Sequence, residues 1–222
     1  MTAKGTFFPR RINDHVPNMQ YAADVRFGGL GTIVIPAPAA AAANAIAAAL
    51  VGSLGKTGVN KSNDAKFGRN VVVTASAATG ANSTVIVRGK DYLGQPMVET
   101  ITVTNANGTT AQVGKKAFKY IDSLEVGVAT TGATFVVGWG NVLGLPYKSQ
   151  KLVSELVNKE VPGNAGSLTD GLTTGAAQSV TSDDPRGTYT PHSSFVPNGS
   201  REYELTIMHD YDNLHGDAHF YS

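Results

Sequence analysis

The sequence predicts an all-β protein, a β-sandwich or jelly-roll-like body preceded by an extended N-terminal arm. Three observations predict this class: β-branched runs of alternating polarity, turns marked by glycine and proline between them, and a low charged fraction. The chain has 222 residues, of which 16% are charged and 25 are glycine. This composition is typical of many short strands joined by polar turns. A chain of this length can bury a substantial core.

The first part of the chain predicts an arm over residues 1–30, followed by a single β-rich domain over residues 31–222. Pro9 and Pro17 interrupt regular strand pairing, and the apolar residues here show no sustained period. The arm is mildly basic and carries more aromatic residues than a disordered tail usually does. We therefore expect it to dock on its own body or on a neighbour. The aromatic and basic residues expected to make these contacts are Phe7, Phe8, Arg10, Arg11 and Tyr21.

An alanine-rich stretch follows the first predicted strand. Thr32–Ile35 is a short apolar strand candidate that ends at Pro36 and Pro38. In Ala39–Leu50, Asn44 is the one polar residue. The high helix propensity of alanine predicts a short buried helix here. An alanine-rich loop packed on a sheet is the alternative.

Strand patterns dominate the remainder of the chain. Met97–Thr104 alternates, and Glu99 lies on its apolar side, which indicates a bulge or an edge strand. Lys151–Val161 fits a helix or a strand, and its β-rich surroundings favour a strand. Pro162–Pro185 predicts a long surface loop or a weak hairpin. Glu202–Asp210 alternates again and predicts a strand with a buried face.

Two segments fifty residues apart share an ending. Thr84–Pro96 and Thr134–Pro146 are both β-branched runs closed by Leu-Gly-x-Pro. A run of this kind predicts a strand followed by a sharp turn, and its repetition indicates two similar hairpins. Duplication and convergence explain the likeness equally well. In the second copy we expect Leu143 to be buried and Gly144 to have a positive φ.

Composition excludes several kinds of function. The absence of cysteine excludes disulfides, thiolate metal sites and a cysteine nucleophile. A formal net charge of +1 gives no support to bulk electrostatic binding of nucleic acid. The apolar run Ala39–Val51 is shorter than the ~20 residues that a membrane span needs. The N-terminal residues lack the apolar core of a signal peptide. We therefore expect neither a nucleic-acid partner nor a membrane partner.

The motifs that could carry chemistry are incomplete. Gly55-Lys56-Thr57 ends a near match to a phosphate-binding loop, but Leu50 stands where the first glycine is required. No serine lies in a Gly-x-Ser-x-Gly motif, and no paired carboxylates stand out, so the motifs give no support to a catalytic site. Three dispersed aromatic residues could form a carbohydrate platform, although core and turn-covering roles are commoner. These residues are Tyr92, Trp139 and Tyr147.

The C-terminal tail concentrates side chains that can bind metals. Imidazole and carboxylate groups could together bind a divalent ion. Gly216 weakens the helix that would bring His215 and His219 together, and the run into His209 is strand-like. We therefore predict no metal site. The residues of this cluster are His209, Asp210, Asp212, His215, Asp217 and His219.

Several segments in a fixed order resemble the virion structural proteins of tailed bacteriophages. These segments are GRNVVVTASA (68–77), VIVRGKDYLGQPMVETITV (85–103), VGKKAFKYIDSLEV (113–126), NVLGLPYK (141–148) and DDPRGTYTPHSSFVPNGSREYELTIMHDYDNLHGDAHFY (183–221). These segments are distributed over about two-thirds of the chain, from residue 68 to residue 221. Many proteins of this group are decoration or cement proteins attached to the capsid.

The resemblance implies a non-enzymatic protein with no cofactor and no small-molecule substrate. It would bind the capsid surface across capsomer junctions and stabilise the head. Its partners would be the major capsid protein and further copies of itself, in a dimer or trimer. Its location would be the virion, and the host cytoplasm during assembly. A tail or head–tail connector component and a β-sandwich glycan-binding module remain as alternatives.

Overall fold

The computed structural model describes residues 28–51, 54–59, 65, 67–104, 109–130, 132–172 and 179–210. These residues form strands and one 3-10 turn (Ser193–Phe195), without an α-helix, which confirms the all-β class. The strands are β1 (Gly28–Ile35), β2 (Ala42–Val51), β3 (Gly55–Gly58), β4 (Arg69–Ala75), β5 (Ser83–Lys90), β6 (Pro96–Val103), β7 (Gln112–Phe118), β8 (Tyr120–Val128), β9 (Thr134–Gly144), β10 (Ser149–Val157), β11 (Ser167–Asp170), β12 (Gly187–Thr190) and β13 (Tyr203–Asp210).

The strands form three antiparallel sheets. The first sheet has three strands in the order β1–β13–β10. The second has the order β11–β12–β9–β4–β7, and β2 also pairs with β9. The third has four strands in the order β3–β8–β5–β6. Within the described residues, no helix has the length and apolar character that a membrane crossing requires.

The larger hydrophobic core joins the second and third sheets as a sandwich. Strands β4 and β9 contribute Val71 and Phe135, and strands β5 and β8 contribute Val85 and Leu124. All four side chains are fully buried. Alternation along each strand explains this, because every second side chain points to the same face of a sheet.

A second core lies between the first sheet and the far end of β9. It contains Leu143 and Leu145 together with Tyr189 of β12 and Tyr203 and Leu205 of β13. Strand β9 therefore supplies side chains to both cores. This shared strand couples the three-stranded sheet to the sandwich.

The predicted alanine-rich helix is wrong, since these residues form the irregular strand β2. Strand β2 pairs with β9, with register shifts between Ala42 and Ala47 and between Ala47 and Leu50. Gly138 of β9 permits the approach, because a Cβ there would collide with the backbone of Ala42. Burial of Ile46 and Leu50 together with the strand pairing outweighs a helix propensity of only tenths of a kcal/mol per residue.

The two Leu-Gly-x-Pro endings differ in the structure. The first closes a true hairpin, because Lys90 of β5 pairs with Pro96 of β6. The second leads from β9 in the second sheet to β10 in the first sheet, so it is not a hairpin. Leu143 is fully buried as predicted. The prediction for Gly144 is wrong, because its φ is not positive; its space is limited by Ala117, whose Cβ would lie 2.7 Å from an added Cβ.

The other strand predictions agree with the structure. Thr32–Ile35 lies within β1, which begins earlier, at Gly28, so the last residues of the predicted arm belong to a strand. The ambiguous segment Lys151–Val161 contributes to strand β10, and Glu202–Asp210 contains β13. The segment Pro162–Pro185 contains the short strand β11. Residue Glu99 lies on β6, which is an edge strand of the third sheet, as its position in the alternation indicated.

Candidate interaction surface

The arm residues predicted to make contacts lie outside the described residues. These are Phe7, Phe8, Arg10, Arg11 and Tyr21. The described chain begins at Gly28, the first residue of β1, where β1 pairs with the last residue of β13, Asp210. Any contact made by the arm therefore starts from this corner of the three-stranded sheet.

The outer face of the three-stranded sheet, as we call it here, carries apolar side chains among polar ones; the polar residues in its register are Thr32, Thr206, Ser154, Glu204 and Lys151. Leu30 and Val34 of β1 have exposed fractions of 65% and 50%. In the register, Leu30 lies opposite Met208, and Val34 lies opposite Glu204, which in turn lies opposite Leu156 of β10. Residues Leu30, Thr32 and Val34 of β1 and Glu204, Thr206 and Met208 of β13 point outwards, while the odd-numbered residues point to the core. Asp210, at the end of β13, is buried. Uncovered aliphatic side chains in neighbouring rows are typical of a protein-binding surface.

Among the described strands, β1 is also an edge of its sheet, and it lacks the usual protection against pairing. Its sequence, GGLGTIVI, contains neither a charged residue nor a proline. Edge strands in soluble proteins commonly carry one of these, because an open row of backbone groups can pair with another chain. Packing explains why position 31 is a glycine, because an added Cβ would lie 2.7 Å from Nε2 of His209. Strand β1 thus offers both an edge and a face.

A buried ion pair fixes the corner from which the arm starts. Lys148 Nζ lies 3.4 Å from Asp210 Oδ2, and both side chains are almost fully buried. The backbone N–H of Asp210 also donates to the carbonyl of Lys148. Next to it, His209 is buried edge-on against Tyr147, and burial lowers its pKa. These contacts tie β13 to the start of β10 and make the corner rigid.

A groove runs between β10 and β11, at the edge of the first sheet. Its volume is about 660 Å³, and Val153, Val161 and Leu168 line it. Glu155 closes its floor, where it accepts hydrogen bonds from the Tyr189 hydroxyl and from the backbone N–H of Gly166. Since both carboxylate oxygens are engaged, Glu155 is a structural group.

A second cavity, of about 550 Å³, lies under the loop between β1 and β2. It is lined by Pro38, Phe67, Arg69 and Trp139, among smaller residues. Arg69 donates to the carbonyls of Ala39, Ala40 and Gly140, so it ties this loop to β9. Burial lowers its pKa to about 10. The guanidinium therefore holds the wall of the cavity together.

Trp139 is unsuited to a carbohydrate platform. Its side chain belongs to the larger core and is 8% exposed. Tyr92 and Tyr147, in contrast, are partly exposed, the first on the β5–β6 turn and the second beside His209. Flat stacking on a sugar requires an accessible ring face, which Trp139 does not offer.

The buried carboxylates are held by the framework. Asp91 Oδ2 accepts a hydrogen bond from Arg186 Nη1 at 2.7 Å, and Asp91 Oδ1 accepts from the N–H groups of Leu93 and Gln95. Arg186 also donates through Nε to the carbonyl of Leu145. Asp184 accepts from the N–H of Ala117. The hydrogen bonds of Asp91, Asp184 and Arg186 connect the β5–β6 turn to β7, β9 and β12 and stabilise the fold.

Glu99 fastens the edges of two sheets together. From β6 its carboxylate accepts hydrogen bonds from the N–H groups of Lys115 and Lys116 on β7. Lys116 Nζ in turn donates hydrogen bonds to the carbonyl oxygens of Val98 and Ser179, each at 3.0 Å. Burial raises the pKa of Glu99 to about 7 and lowers the pKa of Lys116.

The predicted tail cluster is only partly described. His209 and Asp210 are buried in β13, and the remaining residues of the cluster lie outside the described part of the chain. Among the residues with described positions, no group of three metal-binding side chains comes together. The segment Gly55–Thr57 belongs to strand β3, which pairs with β8, so it is not the turn before a helix that a phosphate loop requires.

Sequence reasoning missed the outer face and the Asp91–Arg186 fastening. Leu30 and Val34 could have been assigned to an exposed face by extending the alternation of Ile33 and Ile35 back through β1. The pairing of Asp91 with Arg186 spans 95 residues and has no local signal. Comparisons with protein-family models, curated proteins and solved structures found no match.

Proposed function

We propose that this chain is a non-enzymatic structural protein of a phage virion. It binds the capsid surface across capsomer junctions and stabilises the head. The observation that carries the proposal is a basic, aromatic sequence directly before β1, a strand that exposes Leu30 and Val34 to a neighbouring subunit. The ordered segments that resemble phage virion proteins support the choice of a phage particle.

The use of the polar groups also supports a structural role. Asp91, Glu99 and Glu155 are all buried, and each accepts hydrogen bonds from the framework. A catalytic carboxylate has to reach a substrate, which a side chain enclosed in this way does not. A protein that reinforces a shell instead needs a rigid body and several weak, repeated contacts, because avidity replaces the affinity of a single site.

A co-sedimentation experiment with heads that lack this protein tests the proposal. The full chain should bind to saturation, and the variant without Met1–Arg26 should bind much more weakly, because the arm supplies contacts that the body lacks. Phe27 is kept so that β1 is intact. Circular dichroism and melting temperature should show that the truncated protein remains folded. If the full chain does not sediment with heads, the proposal is wrong.

The position of the protein on the particle distinguishes a tail or connector component from a decoration protein. A tail or head–tail connector component forms rings instead of dispersed copies, so on heads it would bind at a single vertex and saturate at a low ratio. A decoration protein binds over the whole shell. The glycan-binding alternative is disfavoured by the burial of Trp139, and binding to a glycan array would revive it.

A further inference from the structure

The residues just before β1 have the pattern of a strand with one apolar face. The arm as a whole shows no period, but Met19–Phe27, directly before β1, alternate except at the Ala22-Ala23 pair. Larger apolar side chains, with one alanine, occupy every second position, and polar or small residues lie between them. The apolar positions are Met19, Tyr21, Ala23, Val25 and Phe27, and the others are Gln20, Ala22, Asp24 and Arg26.

The point where the segment joins β1 decides which copy it can cover. Ile33 and Ile35 of β1 point to the core, whereas Leu30 and Val34 point outwards. Gly28 already pairs with Asp210 of β13, so an extended segment that ends at Phe27 has no residues left for the turn that would fold it back over its own sheet. The outer face of a second copy requires no such reversal.

The lengths match as well. Nine extended residues span about 30 Å, and the eight residues of β1 span about 27 Å. A segment of this length can cover Leu30 and Val34, together with the neighbouring Met208. The rest of the arm, with Phe7 and Arg10, would still be free to reach beyond the covered sheet.

We propose that the outer face of the three-stranded sheet is a docking surface for Met19–Phe27 of a second copy of this chain. The apolar side of the segment covers Leu30, Val34 and Met208. In a two-fold pair each copy covers the sheet of the other, so the contact is isologous. The inference goes beyond capsid binding, because it concerns the purified chain alone.

Disulfide trapping tests this exchange, because the chain contains no cysteine. The variant Ala23→Cys/Thr32→Cys places one thiol in the segment and one on the outer face of β1. The control Ala23→Cys/Thr102→Cys uses another exposed threonine, on β6 in the third sheet. On oxidation the first variant should give a covalent dimer on a non-reducing gel, at several times the yield of the control. Both purified proteins are first checked for wild-type melting.

Two outcomes would overturn the proposal. A disulfide within one chain would show that the segment covers its own sheet. A dimer yield equal to that of the Thr102 control would show that the segment does not dock there. Because heads are absent from this assay, either outcome leaves the co-sedimentation result to be judged separately.

A charge substitution on the face gives a second measurement. Leu30→Lys/Val34→Lys places charges among the covered side chains and should shift sedimentation from dimer to monomer. Val113→Lys is the control, because Val113 is 60% exposed on β7, at the edge of another sheet. If both variants remain as dimeric as the wild type, the outer face is not the contact.

Discussion

Leu143 and Leu93 occupy equivalent places in two similar sequences but differ in burial. Leu143 is fully buried in the smaller core, whereas Leu93 is 41% exposed on the β5–β6 turn. Packing at a residue therefore depends on which sheets the turn connects, and the local motif does not determine it. The same pair of residues provides a matched experiment.

Leu143→Ala should lower the free energy of unfolding by about 2–4 kcal/mol, because it removes buried methyl groups and leaves a cavity. Leu93→Ala should change it by less than about 1 kcal/mol, because the side chain is already in contact with water. Denaturant titration of both variants measures the difference. Equal losses would contradict the assignment of Leu143 to the second core.

Glu99 should make stability depend on pH. Burial raises its pKa from 4.5 to about 7 in the folded state. The folded protein thus binds this proton more tightly than the unfolded chain does. The stabilisation is fully present below pH 4.5 and is lost as the pH rises through about 7. Below pH 4.5 this contribution to the free energy of unfolding is on the order of 3 kcal/mol.

Comparison with Glu99→Gln isolates this effect. The variant cannot titrate, so the free energy of unfolding between about pH 4 and 8 should vary less than in the wild type. Glu125→Gln is the control, because Glu125 forms only a partly exposed ion pair with Arg88. A wild-type pH dependence in Glu99→Gln would show that Glu99 does not titrate in this range.

At the scale of the elements, the Asp91–Arg186 pair joins the β5–β6 turn to the start of β12. Arg186→Met should lower the free energy of unfolding by about 3–5 kcal/mol, because it leaves the Asp91 carboxylate buried without its cation. Arg88→Met, which breaks the partly exposed pair with Glu125, should cost no more than about 1 kcal/mol. Thermal and denaturant unfolding compare the two. Similar losses of unfolding free energy in the two variants would mean that the buried Arg186 pair stabilises the fold no more than the partly exposed Arg88 pair does.

The strands with clear local alternation were predictable from the sequence. Strand β13 is an example, because Tyr203, Leu205 and Ile207 alternate with polar residues and are all buried. Strand β2 was not predictable, because alanine favours a helix and the strand forms only through pairing with β9, far along the chain. Local propensity cannot report a partner of this kind.

The candidate interaction surface was likewise predictable only in part. Aromatic and basic residues indicated that the arm makes contacts, but the apolar outer face follows only from the pairing of β1, β13 and β10. That pairing brings Leu30, Met208 and Lys151 into one row, although they are far apart in sequence. Register, which the sequence did not supply, is what defines the surface.

For the whole molecule, the arrangement of the cores suits a protein that bears load between neighbours. Strand β9 contributes Phe135 to the larger core and Leu143 to the smaller one, so the sheet that carries the arm is joined to the sandwich through one continuous strand. The Lys148–Asp210 pair fixes the corner where the arm begins. A force applied through the arm would therefore be transmitted to both hydrophobic cores.

The number of copies in purified particles tests the central proposal most directly. Quantitative mass spectrometry of virions, with the major capsid protein as the internal standard, measures this number. A decoration protein should be present in a fixed ratio to the capsid protein, on the order of hundreds of copies per particle, since avidity over the shell requires many sites. Absence from the particle, or a copy number that fits a single ring, would contradict the proposal.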